Sequence, residues 1–414
     1  MHRPLPGRLP SRSVPERISV LILNYNAPVD SLKACVASVD ASDYPDLLEI
    51  VVAENGSSEH HDSARAVAAE FERARVADLG RNWGFASGIN RGLAECRGDW
   101  VFVLNNDTEV DSHALSACAE VLRGQPAECL AIVPKLLFLA DRHLIDAIGN
   151  AVDSGGSAFN IGIGQLDVGQ YDRVERTFGP CFAAGLFRRE AFDDAHVGSL
   201  DDSYFMYYED VDWNWRANLF GYHFVTAPDA RVYHVHSAAS RNLDYSFKYR
   251  HIERNLLATV LKNFSGRRAL RIWAIRMAAH LRNLLRGRYP VATIRIVAEA
   301  IARLPDTLAK RRAVMRRRVL SDVEIVRFSH GEGVFFEPAT YSPQRTLQNL
   351  TAMYKRKAMV TGDARWLAVG DMAHALDTVR LRFEPGFISS RLLPLLEGEP
   401  DYIHEFVRGI EAAQ

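Results

Sequence analysis

Three short stretches carry side chains able to do chemistry. "VFVLNNDTEV" (101–110) is an apolar run that ends in two amides and a carboxylate: Asn105, Asn106 and Asp107. Asn and Asp also make turns, because their side chains bond nearby backbone. Alone, the stretch reads equally as a turn or as a ligand site. "YFMYYEDVDWNWR" (204–216) crowds Glu209, Asp210 and Asp212 into four positions beside Tyr207, Tyr208 and Trp213. One acid would satisfy a helix N-terminus; three exceed that need. A carboxylate crowded against aromatic walls has a raised pKa and is a better base. "PDARVYHVH" (228–236) sets His234 and His236 two apart, the spacing of a strand with both imidazoles on one face.

The elements that position these groups alternate. "ISVLILN" (18–24) is the continuous apolar run of a strand buried on both faces. "VDSLKACVASV" (29–39) has helical spacing, "LEIVVA" (48–53) is a second strand, and a helix is expected over 59–74. "ARVADL" (74–79), a helix near 87–97, "WVFVLN" (100–105) and a helix from about 111 to 123 continue the pattern. This alternation predicts an α/β fold, a mostly parallel sheet with helices on both faces. Ligands of such sheets bind beyond the carboxyl ends of the strands. Those ends are "NYN" (24–26), "ENGS" (54–57), the stretch after Leu79 and "NNDTE" (105–109), all polar.

The usual nucleotide cradles are absent. No GxGxxG follows the first strand, and there is no GxxxxGK[ST] loop. A Gly-rich loop with a basic residue, as nucleotidylyltransferases use, is also missing. Phosphate charge must then be met otherwise, and a divalent cation on Asp107 is the simplest candidate, because Mg²⁺ takes one or two carboxylates plus substrate phosphates.

Residues 18–240 resemble the inverting family 2 glycosyltransferases with the GT-A fold, and within them the rhamnosyltransferase-like branch. The resemblance rests on "LNYNAP" (23–28), "ENGSSE" (54–59), "RNWGFASGINRG" (81–92) with "LNNDTEV" (104–110), and "YFMYYEDVDWNWR" with "PDARVYHVH", in that order. It implies that "NND" stands in the place of the DxD motif, with Asp107 on Mg²⁺ or Mn²⁺, Asn105 replacing the first acid, and His234 as a further metal ligand ahead of His236. Asp210 would be the catalytic base and Glu209 would orient acceptor hydroxyls, with Asp212 mainly structural. On the donor side it implies Tyr25 stacking on the base with Asn26 beside it, and Glu54 taking the imide N–H where the family has Asp. Asn82, Gly84, Gly88, Asn90 and Asn106 would surround the diphosphate and ribose. Gly362 stands where the QxxRW motif of processive synthases needs Gln, so a processive synthase is not expected.

Composition bounds the remainder. The 414 residues are 48% hydrophobic and 24% charged, with a net charge of −1. That balance hides a block, 262–320, carrying 16 Lys and Arg against Glu299 and Asp306. A helix over 268–286 is predicted to set Arg268, Arg271, Arg282 and Arg286 opposite an apolar side, followed by helices over 291–304 and 306–320. Such a basic amphipathic stretch suits an anionic membrane surface, while the lack of interleaved aromatics argues against nucleic acid. No apolar run approaches the ~20 residues of a spanning helix. The five scattered cysteines, without a CxxC pair, fit a reducing compartment.

The sequence therefore predicts a flexible tail (1–16) without the apolar region of a secretory signal, a GT-A catalytic domain (17–245), basic helices (246–320) and a partly helical appendage (321–414) without an assigned role. The catalytic domain divides into a nucleotide-sugar half (17–135) and an acceptor half (136–245). The expected activity is metal-dependent, inverting transfer of a sugar from a nucleoside diphosphate to a glycan or lipid-linked acceptor in cell-surface polysaccharide assembly. L-rhamnose from dTDP-L-rhamnose is the first-choice donor, and the inner face of the cell membrane the expected place. A nucleotidylyltransferase and a non-catalytic glycan-binding protein of the same fold are the alternatives.

Overall fold

A computed structural model describes residues 17–236, 243–327, 347–378 and 386–412; the expected tail, 1–16, lies outside them. The chain opens with β1 (Ile18–Asn24), α1 (Val29–Asp40), β2 (Leu47–Glu54), α2 (Ser63–Ala68), β3 (Ala74–Asp78), α3 (Gly84–Glu95) and β4 (Trp100–Asn105). These strands lie side by side in the order β4-β1-β2-β3, all parallel. Every residue of β1 is buried because both faces are covered. Val20 and Ile22 pack toward α1 and α2, while Leu21 and Leu23 pack toward α3. The helix expected over 59–74 shrinks to six residues: Phe71 N bonds Ala68 O and Ala74 N bonds Phe71 O, so the chain turns back early into β3.

The second half of the sheet is mixed. It contains β5 (Thr108–Val110), α4 (Ala114–Arg123), β6 (Cys129–Phe138), β7 (Ile145–Ala147), β8 (Asn150–Val152), β9 (Ala158–Asn160), β10 (Arg176–Thr177), β11 (Ala184–Arg188), α5 (Glu209–Leu219) and β12 (His223–His234). The full order is β10-β12-β6-β11-β4-β1-β2-β3, in which only β10 and β11 run against the other six. β8 and β9 form a separate hairpin.

The helices that follow are α6 (Tyr245–Asn263), α7 (Gly266–Leu285), α8 (Pro290–Ala302) and α9 (Leu304–Arg317). Then come α10 (Asp322–Val326), α11 (Leu347–Thr361), α12 (Arg365–Thr378), α13 (Phe387–Leu392) and α14 (Asp401–Ala412). α6 packs its buried Leu256, Val260 and Leu261 into the core behind α5. α11 to α14 enclose a core of their own, which also takes in Leu144, Leu166 and Val168. Tyr402 stacks on His143 at 4.0 Å and bonds Asp167 O, and Arg356 pairs with Glu175. This C-terminal unit is therefore fastened to the 143–175 segment.

The 268–318 stretch divides in two. α7 does not separate arginines from apolar residues: Leu270, Ile275, Leu281 and Leu285 are exposed on the same side as Arg271, Arg282 and Arg286. Arg268, expected on the cationic face, instead bonds Ser154 O and lies over Phe264. In and just after α9 the fold consumes most of the charges, with Arg312 and Arg316 left exposed. Lys310 pairs with Asp201 and Asp306, Arg311 bonds Phe264 O, Arg317 bonds Asp194 O, and Arg318 pairs with Asp322.

Candidate active site

Strand register brings the polar strand ends level. Asn24 pairs with Glu54 and Leu23 with Asn105, so β1, β2 and β4 stop along one edge. β11 runs back along β4, and Asn105 N donates to Ala183 O, which sets the 181–183 loop beside the strand end. β12 closes the other side. His234 pairs with Thr108 of β5 and with Phe138 of β6, which holds it next to Asp107. β7 pairs with the same part of β6, placing Asp146 behind His234.

A cavity of about 650 Å³ opens at this edge. Tyr25, Asn82, Gly84, Asn105, Asn106, Asp107, Glu209, Asp210 and His234 all line it, from stretches up to 209 residues apart in sequence. His236 lines it too, together with Asn55, Asn160, Phe182 and Phe247, which sequence reasoning did not single out. Four expected donor residues are engaged elsewhere. Asn26 uses its amide on Ser58 Oγ and Glu59 N, fastening the loop after β1 to the loop after β2. Glu54 accepts from Asn24 Nδ2 and Ser57 N, one bond on each carboxylate oxygen. Gly88 is a packing position in α3: a Cβ there would stand 2.9 Å from Leu23. Asn90 bonds Leu200 O and Asp202, away from the cavity. Gly84 does line it, with φ +78, and a Cβ there would meet Phe205 at 2.5 Å.

The first corner is made of paired charges. Asp146, 1% exposed, accepts from His234 Nδ1 at 2.6 Å and from His236 Nδ1 at 2.5 Å. Burial would raise its pKa, but the two imidazoles hold it well below the usual carboxylate range. An ionised Asp146 can only accept, so Nδ1 of His234 carries a proton and its Nε2 faces Asp107. Nε2 lies 3.2 Å from Asp107 Oδ1, buried and not aligned for a hydrogen bond. Burial disfavours a charged His234, yet Asp107 and Asp146 push its pKa up to about 10. A position that draws a proton this strongly between a carboxylate and an imidazole suits a divalent cation, with oxygen from Asp107 and nitrogen from His234. A carboxylate behind a ligating imidazole is the usual supporting shell. Asp146 had one sequence signal, a lone acid in the apolar run "LIDAI".

The second corner holds two acids that make no ion pair among the described residues. Tyr208, at φ 72, is the residue before α5, so Glu209 and Asp210 fall in the first helical turn. Glu209 is 6% exposed and its Oε2 has no hydrogen-bond partner. Burial first and the charge of Asp210 second raise its pKa well above the usual range. Asp210 is half-buried against the cavity, and loss of water raises its pKa to about 6 despite hydrogen bonds that favour the anion. Those bonds come from Val211 N at 2.7 Å and Asn150 Nδ2 at 3.0 Å. Asn150 is held in turn by Asn214, which also bonds Pro180 O. Asp212 points away into an ion pair with Arg216 and a bond from Asn263, a structural placement. Of the two, Asp210 gives up its proton first, and Glu209, the more strongly raised, holds its proton longer. Cys181 packs against the core and also lines the cavity, and burial raises its thiol far out of reactive range.

The backbone before α5 is strained. Phe205, Tyr207 and Tyr208 all have positive φ (66°, 66° and 72°) without being glycine, which costs ~1–3 kcal/mol each. Asn255 of α6 holds the turn: its Nδ2 lies 3.1, 2.8 and 2.7 Å from the carbonyls of Tyr204, Met206 and Tyr207.

Residues 19–194 match the family model "Glycosyl transferase family 2". The N-acetylglucosaminyl-diphospho-decaprenol L-rhamnosyltransferase of Mycobacterium tuberculosis (strain H37Rv) is 26% identical over 249 residues, 55% of this chain and 78% of that protein. An N-acetylglucosaminyltransferase of Azorhizobium caulinodans is 28% identical over 110 residues, 26% of this chain and 28% of that one. Among solved structures, GalNAc-T7 with UDP, GalNAc and Mn²⁺ superposes with a TM-score of 0.45 at 17% identity, covering 53% of this chain and 43% of that one. S. aureus TarS 1-349 gives 0.42 at 13% identity, covering 87% and 88%. The family match lies over the strand ends that build the cavity, so residues 19–194 carry a glycosyl transferase family 2 domain, and the chain is similar in sequence to a rhamnosyltransferase.

Proposed function

We propose that this protein transfers L-rhamnose, with inversion, from dTDP-L-rhamnose to a lipid-linked glycan during cell-surface polysaccharide assembly at the inner face of the cell membrane. One observation carries the reading: the Asp107–His234 corner and the Glu209–Asp210 corner line a single cavity. The rhamnosyl donor and lipid-linked acceptor follow the activity for which the mycobacterial relative is named.

Asp107 and His234 would hold Mg²⁺ or Mn²⁺, with Asn105 adding a neutral oxygen; when bound, the ion supplies positive charge to the diphosphate. Tyr25 offers a face for the nucleobase, and Asn82 and Asn106 flank the strand ends where the diphosphate fits. The acceptor hydroxyl lies between Glu209 and Asp210. Protonated Glu209 donates a hydrogen bond to the acceptor, and anionic Asp210 removes the proton of the attacking hydroxyl. Its oxygen forms a bond to the anomeric carbon as the bond to the diphosphate breaks, and the nucleoside diphosphate leaves with the electron pair from the opposite face.

The test is thermal-shift and calorimetric binding of dTDP-L-rhamnose, UDP-sugars and GDP-sugars, with Mn²⁺ and without. Stabilisation by dTDP-L-rhamnose that depends on Mn²⁺ supports the reading. A response confined to a UDP- or GDP-sugar overturns the donor, and nucleotide binding indifferent to metal overturns the role of Asp107.

A further inference from the structure

We infer that the outer face of the α7–α8 hairpin is a docking surface for an anionic lipid bilayer. Among the described residues, eight of the seventeen exposed large apolar side chains fall within 266–302. Leu285 is 81% exposed, Val291 62% and Leu270 61%; Ile275, Leu281 and Ile294 are exposed as well. Exposed apolar side chains gathered this way mark an interaction surface.

Charge chooses the occupant. Residues 266–302 hold eight arginines and one acid, Glu299, which is itself tied to Arg250 and Arg254. Arg267, Arg271, Arg282, Arg286, Arg288 and Arg295 are all exposed, and among the described residues none makes an ion pair or a side-chain hydrogen bond. A second copy of the chain would set these arginines against their own equivalents, which a two-fold contact between identical patches cannot avoid. Nucleic acid would meet the arginines but leave Leu285, Val291 and Ile294 without a partner, since aliphatic side chains offer bases no stacking face. A bilayer answers both needs. Aliphatic side chains enter the acyl boundary, and arginine stems lie along it while the guanidinium groups reach lipid phosphates. α9 differs in part, because Lys310, Arg311 and Arg317 are spent on internal partners while Arg312 and Arg316 stay exposed.

The surface adjoins the cavity. Leu243 and Phe247 line the cavity, and between them Tyr245 packs on Tyr249 at 6.1 Å and on Tyr289, at the tip of the hairpin, at 5.4 Å. Tyrosines, apolar in body and polar at the tip, suit the edge of a bilayer. Docking through this face would bring the cavity mouth to the headgroup layer; that last consequence alone rests on the lipid-linked acceptor proposed above.

Sedimentation of the full chain with vesicles tests the surface without any sugar chemistry. Binding is expected to phosphatidylcholine mixed with phosphatidylglycerol and to be lost on phosphatidylcholine alone. Arg282→Ala and Arg286→Ala should each weaken it roughly fivefold. Leu285→Ser should weaken it roughly tenfold; all three side chains are exposed, so unfolding temperature should not move. Equal binding to both vesicles, variants that bind like wild type, or a dimer in sedimentation velocity that Leu285→Ser dissociates would each overturn the proposal. An oligonucleotide that displaces vesicles and is indifferent to Leu285→Ser would do so as well. Transfer to a water-soluble acceptor analogue separates the two readings: Leu285→Ser should leave it unchanged, and its absence in wild type counts against the proposed reaction, not the surface.

Discussion

The two corners of the cavity handle buried carboxylates in opposite ways. At Asp107 and Asp146 every acid faces an imidazole, and the pairing holds a proton on His234 and charge on Asp146. At Glu209 and Asp210 no ion pair is made among the described residues, desolvation dominates, and both pKa values rise. The lesson is that acidity in this site is set by what stands opposite each carboxylate, since burial is common to both corners. A position meant to hold positive charge is pre-loaded with anion, and a position meant to take a proton is starved of solvent.

The largest effect should come from removing the base. Asp210→Asn is expected to lower turnover by roughly 10²–10⁴-fold, with donor binding by calorimetry retained. Removing the unpaired acid should also raise the unfolding temperature at pH 7. The folded-state pKa of Asp210 lies above the unfolded value, so ionisation costs stability as pH rises toward about 6. Near-normal turnover in the folded variant would take the role from Asp210.

The paired corner should respond with the opposite sign. Asp146→Asn removes the acceptor for both imidazoles and is expected to lower the unfolding temperature. It should weaken Mn²⁺ binding, read from the ion's paramagnetic signal, by roughly 10–100-fold. Unchanged Mn²⁺ affinity would show that His234 needs no support from behind.

Much of this contrast is visible in sequence, and the boundary of what is visible has a physical cause. Asp107, Glu209 and Asp210 stand out because their types and crowding exceed what turns and helix starts require. The supporting groups do not. Asp146 reaches His234 across 88 residues and Asn150 reaches Asp210 across 60, through pairings that only the folded sheet fixes. Glu54, Asn26 and Asn90 show the converse error. A polar residue at a strand end serves equally to close a turn or to bind a ligand, and local spacing does not separate the two. The fold class followed from the parallel alternation of 18–105, whereas β11, antiparallel between β4 and β6, depends on long-range pairing.

A third, smaller effect tests whether the strained turn belongs to the comparison. Asn255→Ala leaves the carbonyls of Met206 and Tyr207 short of a donor, while Tyr204 O keeps Arg254 Nη2; this should cost ~1–3 kcal/mol per unsatisfied group that water does not reach. Because the turn aims α5, turnover should fall about tenfold while metal affinity and donor KM hold. Equal losses at both corners would make Asn255 a general support of the fold.

The smallest effect is the most diagnostic, since it moves a pH profile and leaves the machinery in place. Asp210 must be ionised to take a proton, so kcat/KM should fall tenfold per pH unit below about 6 and level off above. Glu209 shares the titration, so the limb reports the pair, with the more strongly raised Glu209 keeping its proton longer. Asn150 donates to Oδ2 of Asp210 and so favours the anion. Its loss in Asn150→Ala should raise the pKa further and move the acid limb toward higher pH by about one unit, the equivalent of one charge-assisted hydrogen bond. At pH values above the shifted limb the rate should recover toward wild type. A rate lowered equally at every pH would mean that Asn150 fixes the position of the carboxylate and leaves its basicity alone.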